Sequence, residues 1–344
     1  MKASLRMAVV TIAALLIAPF SFAADEKIGI FETILESSGS FSETTAALES
    51  TLEDSSFELH GSHDIRVPDG AHQAKIYVLT SSAYAEAASA ESATTISAQI
   101  LRVAVYTQGD EQTTYVNMAN PVAHAMVFYA NSSNYDALVT AARNVASEMR
   151  QVVTALPGKA LSEQREPMRS EKHYRKFKGD GPARMMAKFR TFEKSQLPIK
   201  MDSAAGVDAT VAAVVAALKA GTVSDASDST GWEMIAQVRL RDDAVYVGIT
   251  NPYIEDKMVR INSRFRDDSK SDLSPYPGVD HVAALPTEVL IVKDGDETRV
   301  LHYGQMWRMQ LYFWDSGYRA FTANVGVPSA IANSIEATLE KPQD

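Results

Sequence analysis

The chain has no cysteine at any of its 344 positions. That absence excludes disulfides, thiol nucleophiles, iron–sulfur clusters, Cys-attached haem and dithiol redox centres together. A chain of this length can bury adequate cores without cross-links. Motifs of the common catalytic classes are also missing: there is no Gly-x-Ser-x-Gly, Ser-x-x-Lys, His-Glu-x-x-His, Walker-type loop or Gly-x-Gly-x-x-Gly. A dispersed Ser–His–Asp set stays open, because its members need not be neighbours in sequence. After residue 23 no apolar run reaches the ~20 residues that a membrane span needs. Positive charge is scarce as well, with 33 Lys and Arg against 43 Asp and Glu. With the export expected below, that balance argues against nucleic acid as a partner.

What is present begins with an export pattern. Lys2 and Arg6 precede an apolar stretch over residues 7–20, and Ser21-Phe22-Ala23 supplies small residues at the two positions that a cleavage site requires. Residues 1–23 are therefore expected to be a cleaved signal peptide, and the mature chain to be periplasmic. Without a cysteine after the signal, a lipid-anchored lipoprotein is not expected. The remaining charge is uneven. Residues 159–200 hold twelve Lys and Arg against five Asp and Glu, a local excess of seven inside an acidic chain. Such a belt packs against its own acidic units or docks on an anionic partner or membrane surface.

The strongest internal signal is a repeated phrase. Residues 114–121 read Thr-Tyr-Val-Asn-Met-Ala-Asn-Pro, and residues 245–252 read Val-Tyr-Val-Gly-Ile-Thr-Asn-Pro. Each follows another β-like run, at 100–107 and 234–240, and a helix-like segment, at 41–56 and 207–220. An internal repeat implies a duplicated unit rather than one large domain. The expected fold is α+β, as two related units, each a small antiparallel sheet packed with helices. The units span residues 24–158 and 199–344, with a basic linker over 159–198.

Local signals fill in this frame. Ser40 or Ser42 can cap a helix carrying Leu48 and Leu52 on one face. Residues 27–36, 57–65, 74–80, 96–106 and 113–118 read as strands, and 83–93 as a weak helix or loop. Ser133-x-x-Asp136 starts a strongly periodic helix that Pro157-Gly158 stops. Residues 183–192 can form a short helix within the belt. In the second unit, an apolar helix ends at Gly221, and Asp294-Gly295-Asp296 turns a hairpin between 288–293 and 298–303. Residues 260–277 read as a long polar loop. Pro328 opens a helix with Ile331, Ile335 and Leu339 on one stripe.

Part of this pattern resembles a known family. Val-Gly-Ile-Thr-Asn-Pro at 247–252, Ala-Ala-Leu-Pro at 283–286, the strand 287–292, Asp294-Gly295 and the closing strand 299–304 are similar to domain-of-unknown-function family 302, as is the upstream helix 207–220. The resemblance covers about 199–304. The first unit keeps Asn120-Pro121 and Ala155-Leu156-Pro157. The resemblance implies a small α+β domain, often duplicated or dimeric, and no established activity.

Four groups of residues are candidates for function. His60, His63 and His72, beside Asp64 and Asp69, offer imidazole and carboxylate donors for a metal, although an extended strand would place His60 and His63 on opposite faces. His302, Met306 and Met309 offer a soft donor set for copper, or plain packing. Trp307, Tyr312, Trp314 and Tyr318 belong to an aromatic cluster that can line an apolar pocket or an interface. Asn120 and Asn251 can cap the helices that follow them or point into a cleft. The expected function is a non-enzymatic, exported binding protein. Its partner would be an unidentified small molecule or protein, with peripheral membrane contact and homodimerisation as further options. A metal-dependent protein using His60, His63 and His72 is one alternative, and an envelope scaffold docking through the belt is another. No cofactor is specified.

Overall fold

A computed structural model describes residues 27–179, 191–201, 206–221, 231–261, 278–314 and 317–340, excepting the side chains of Ile261, Tyr318 and Arg319. The signal segment, residues 183–190 of the expected helix over 183–192 and residues 262–277 of the expected loop over 260–277 lie outside the described residues; Phe192 starts a 3-10 turn, and Arg260 and Ile261 end a helix rather than begin a loop.

The first unit starts with β1 (Lys27–Ser37) and α1 (Phe41–Glu53). Ser40 caps α1 with a full capping box, its hydroxyl taking the Glu43 N–H while the Glu43 carboxylate takes the Ser40 N–H. Leu48 and Leu52 bury one face of the helix, as the spacing predicts. β2 (Phe57–Asp64), β3 (Ala74–Ser81) and the short α2 (Ser82–Ala87) follow, then a 3-10 segment, Ala93–Gln99. The strand expected from residue 96 instead begins after this segment, because Ile96 and Ala98 are buried by the 3-10 turn itself. β4 (Leu101–Gln108) and β5 (Thr113–Ala119) form the expected hairpin, leading into α3 (Pro121–Phe128) and α4 (Tyr135–Thr154). Helix α4 starts one residue later than Ser-x-x-Asp suggests: its N-cap is Asn134, whose side chain makes no capping bond, and Ser132 Oγ accepts the Asn134 N–H instead.

β6 (Gly158–Ser170) and α5 (Glu171–Arg175) complete the first unit. The second unit runs β7 (Gln196–Ile199), α6 (Val207–Ala220), β8 (Glu233–Arg241), β9 (Ala244–Thr250), α7 (Pro252–Ile261), a 3-10 segment Val279–Ala284, β10 (Thr287–Asp294), β11 (Glu297–Tyr303), α8 (Gln305–Phe313), α9 (Gly317–Ala323) and α10 (Val327–Leu339). Gly295, with φ of 63°, turns the last hairpin in a backbone region where other residues are strained. The basic segment is therefore not a separate linker over 159–198. Its start is the outer strand of the first sheet, paired along its length with β1, and its end pairs with β11. A mostly solvent-facing edge strand has no apolar alternation to betray it, so charge dominated the sequence signal.

Both sheets are antiparallel, and they share one order. The first runs β2-β3-β4-β5-β1-β6 and the second β8-β9-β10-β11-β7. In each, the leading strand pairs with the last of four strands that return as two hairpins; β6 is an addition outside β1. This order corrects the register of the repeated phrase. Asn120-Pro121 follows β5, the last of its four strands, whereas Asn251-Pro252 follows β9, the second of its four. The topological counterpart of β9 is β3, which passes through Ser81 into α2. The phrase marks two similar strand-to-helix corners at different places in a common order.

The units share one apolar core among the described residues. They also exchange their 3-10 segments. Asn117 of β5 donates to the Asp280 carbonyl at 2.7 Å, while Tyr303 of β11 donates to the Thr94 carbonyl at 2.9 Å and contacts Ser97 Oγ at 3.0 Å. Close approach of β2 and β8 depends on Gly61, where a Cβ would lie 2.1 Å from the Ile235 carbonyl oxygen.

Candidate functional site

A buried polar cluster occupies the junction of the units. Arg102 is the second residue of β4 and Glu288 the second of β10; His124 is the fourth of α3 and Arg308 the fourth of α8. These are matching positions in the shared topology, so the cluster forms where the two units present the same corner to each other. All four residues are at most 5% exposed.

The bonding is dense. Arg102 Nη1 reaches Glu288 Oε1 at 3.2 Å and the Ala284 carbonyl at 3.1 Å. Arg102 Nη2 donates to Tyr312 Oη at 2.6 Å, and both atoms lie 3.0 Å from His124 Nε2. Burial, then the charges of Arg102 and Arg308, hold the His124 pKa well below the usual histidine value. A neutral His124 accepts at Nε2, so the Tyr312 hydroxyl donates to it while receiving from Arg102. Arg308 Nη2 donates to the Ala284 and Pro286 carbonyls at 2.7 and 3.1 Å. Its Nε lies 2.6 Å from Glu288 Oε2 but off the hydrogen-bond axis, so this is an ion contact rather than a directed bond. Arg308 Nη1 has only a 3.4 Å contact to Thr287 Oγ1. Two guanidinium groups thus share one carboxylate, and the phenols of Tyr246 and Tyr312 stay protonated because burial raises both pKa values.

Arg308 also lines a groove between α7, α8 and α10. The groove has a volume of about 50 Å³, is open on one side, and is lined mainly by Ile254, Met258, Leu285, Met309, Phe313 and Ile331. At ~10–15 Å³ per water it holds a few waters or a short alkyl group. Its polar lining is Lys257, Arg308, Gln305 and Asn324, with no carboxylate among the described residues. Half-buried Lys257 sets its ammonium 5.2 Å from the Tyr253 ring centre.

The sequence candidates fall elsewhere. Trp307 is buried among Phe128, Phe177, Phe192 and Tyr303, and Tyr312 belongs to the polar cluster. Both are at most 4% exposed: most residues of α8 are buried, which is why it carries more aromatics than a one-faced helix needs. Trp314 packs edge-on against Phe321 in a small satellite cluster, and the Tyr318 side chain lies outside the described residues. Asn120 and Asn251 are buried caps. Asn120 Oδ1 accepts the Val122 N–H and Asn251 Oδ1 accepts the Ile254 N–H, so neither points into a cleft.

The three histidines are not brought together. His60 Nε2 meets Thr80 Oγ1 at 2.8 Å, and His72 bonds Asp69 at 2.6 Å and the Gly109 carbonyl at 3.0 Å. His63 crosses to the second unit, 2.8 Å from Glu255 of α7 and 3.8 Å from Glu233 of β8. Among the described residues no group of three or more His, Cys, Asp and Glu is placed to hold a metal ion. His302 of the soft set is fully buried, with Nε2 3.3 Å from Glu336. In the belt, Arg169 is buried against the Gln310 and Leu311 carbonyls and Arg175 stacks on Tyr135, while Lys172, Lys176 and Lys178 stay exposed.

The residues that sequence reading missed are Arg102, His124, Glu288 and Arg308. A charged residue near the start of an otherwise apolar strand, as in Arg102 and Glu288, was the available signal. No helix among the described residues is long and apolar enough to cross a membrane. No family model matches the chain, and no curated protein is found to match it. A solved structure that it resembles is the crystal structure of an uncharacterized conserved protein, DUF302, from Bacillus stearothermophilus. The two share 18% identity with a TM-score of 0.29, over 36% of this chain and 96% of that one.

Proposed function

We propose that this chain is an exported, non-enzymatic binding protein built from two related α+β units, and that it takes a small apolar ligand in the groove between α7, α8 and α10. The observation that carries the reading is the lining of that groove: apolar residues with a few polar groups and, among the described residues, no carboxylate, in a chain where acidic residues outnumber basic ones. Binding is favoured over turnover because Arg102, His124, Glu288 and Arg308 beside the groove are buried and engaged with each other and with backbone carbonyls. Relatedness of the units is supported by their common strand order, and export by the basic, apolar and small-residue pattern of residues 1–23.

Nile red, a neutral apolar dye, tests the site. It is expected to bind the purified mature protein with a blue-shifted emission, and Val327→Trp, which fills the half-buried rim, is expected to abolish this while leaving the circular dichroism unchanged. Dye binding that ignores Val327→Trp, or no dye binding, refutes the groove as the site. Native mass spectrometry of protein released from the periplasm reads export and any retained organic ligand in one experiment.

A further inference from the structure

We infer that the ligand of this groove is an anionic amphiphile, a short hydrocarbon body carrying one carboxylate, seated with its tail between α8 and α10 and its charge toward Arg308 and Lys257. The inference rests on the groove being a binding site and adds the chemical class of what it binds.

Charge complementarity carries it. Arg308, which lines the groove, shares Glu288, its acidic partner among the described residues, with a second guanidinium, Arg102. The cluster therefore holds one positive charge more than it neutralises internally. His124 cannot compensate, since it is neutral, and the nearby phenols stay protonated. An uncompensated buried charge is expensive, and its cost falls when a counter-ion enters the same low-dielectric space. Arg308 is 5% exposed, yet it lines the groove and has one weakly engaged nitrogen, Nη1, held by nothing closer than Thr287 at 3.4 Å. Lys257 adds a second cation on α7, and it forms no ion pair with a described residue. A neutral ligand would leave both charges unused, and a cationic one would be repelled.

The limited apolar volume sets the body of the ligand. It accommodates a short alkyl or small branched tail, and the open side allows a longer body to emerge. Carboxylate is the head-group that matches a guanidinium edge with two oxygens.

The test compares three probes of equal chain length, hexanoate, hexanol and hexylamine, as competitors of Nile red on the full mature chain. Hexanoate is expected to displace the dye roughly tenfold or more better than hexanol, the size of one charge-assisted hydrogen bond, with hexylamine weakest. The advantage over hexanol is expected to shrink severalfold in Lys257→Gln and to vanish in Arg308→Gln. Because Arg308 is buried, Lys257→Glu serves as the second variant should Arg308→Gln not fold; it is expected to bring hexanoate to or below hexanol. Equal displacement by hexanoate and hexanol overturns the anionic class and leaves the groove reading standing. No displacement by any of the three, with Nile red bound in the groove, also overturns it. Failure of Nile red itself to bind removes the groove, and this inference with it.

Discussion

Replacing Glu288 by Gln tests the charge account of the unit junction directly. Glu288 is 2% exposed and is the carboxylate that faces both Arg102 and Arg308. Glutamine keeps the shape and removes the charge, leaving two buried guanidinium groups without an anion. Removing one partner of a buried ion pair costs about 3–5 kcal/mol. At about 2 °C per kcal/mol for a chain of this size, the melting temperature is expected to drop by about 6–10 °C. Arg102→Met behaves differently. It leaves Arg308 and Glu288 one to one, and it forfeits the bonds to the Ala284 carbonyl, Tyr312 and His124, a loss of about 1–3 kcal/mol. Arg102→Met should therefore cost less than Glu288→Gln, and the double variant should cost less than the sum of the two. Urea unfolding read by circular dichroism and by fluorescence supplies both numbers. All three tryptophans, Trp232, Trp307 and Trp314, lie in the second unit, so fluorescence follows that unit while circular dichroism follows both. Coincident transitions are expected for the wild type, because one core spans the junction. An Arg102→Met cost equal to or above that of Glu288→Gln, or strict additivity in the double variant, would refute the one-carboxylate, two-guanidinium account.

Two further perturbations address other contacts across the junction. Burial works to lower the His63 pKa, but the Glu255 hydrogen bond and charge, with Glu233 and Asp64, leave it raised; this contribution is therefore full below the unfolded value of ~6.5 and fades as pH rises through the folded one. Melting temperatures from pH 6 to 8.5 should decline in the wild type and flatten in His63→Gln, and an identical slope in both would remove His63 as the cause. Gly61→Ala pushes a methyl group toward the Ile235 carbonyl and is expected to cost about 1–3 kcal/mol and to separate the two unfolding signals; an unchanged urea midpoint would show that β2 and β8 tolerate the gap.

Elements whose burial is one-sided were legible in the sequence. The stripes on α1, α4 and α10 and the hairpin turned at Asp294-Gly295-Asp296 follow from period and turn chemistry, whereas the largely apolar α6 buries only one face. The edge strand β6 was not legible: it carries its charges outward and reads as a linker until β1 is placed beside it. The two sheets have the same strand order, but the repeated phrase does not mark it. Asn-Pro recurs because an Asn cap followed by Pro at the first turn suits any strand-to-helix corner, so the phrase carries no register. The candidate site was least legible, because its members become neighbours only when two units meet. Arg102 and Glu288 are 186 positions apart, and each alone is an anomaly in an apolar strand. The aromatics of α8 drew notice for the right helix and the wrong reason, since Trp307 and Tyr312 face inward and the groove is lined by the plainer Met309 and Phe313.

The shared topology also explains why the groove's charge belongs to one unit. Matching positions on α3 and α8 hold His124 and Arg308, and matching positions on β4 and β10 hold Arg102 and Glu288. If both units carried the second unit's residues, two Glu–Arg pairs would meet at the junction and the charges would cancel. The first unit breaks that balance twice, by reversing the strand charge to Arg102 and by replacing the helix cation with an imidazole held neutral. Glu288 faces Arg102 across the junction as well as Arg308, so the two guanidinium groups divide one counter-charge. Restoring the helix cation with His124→Lys would crowd a third positive charge into the same space, whereas Arg102→Met returns Glu288 wholly to Arg308. The second change is thus expected to weaken hexanoate binding from a distance, without touching any residue that lines the groove, and a hexanoate affinity unaltered by Arg102→Met would separate the junction from the site.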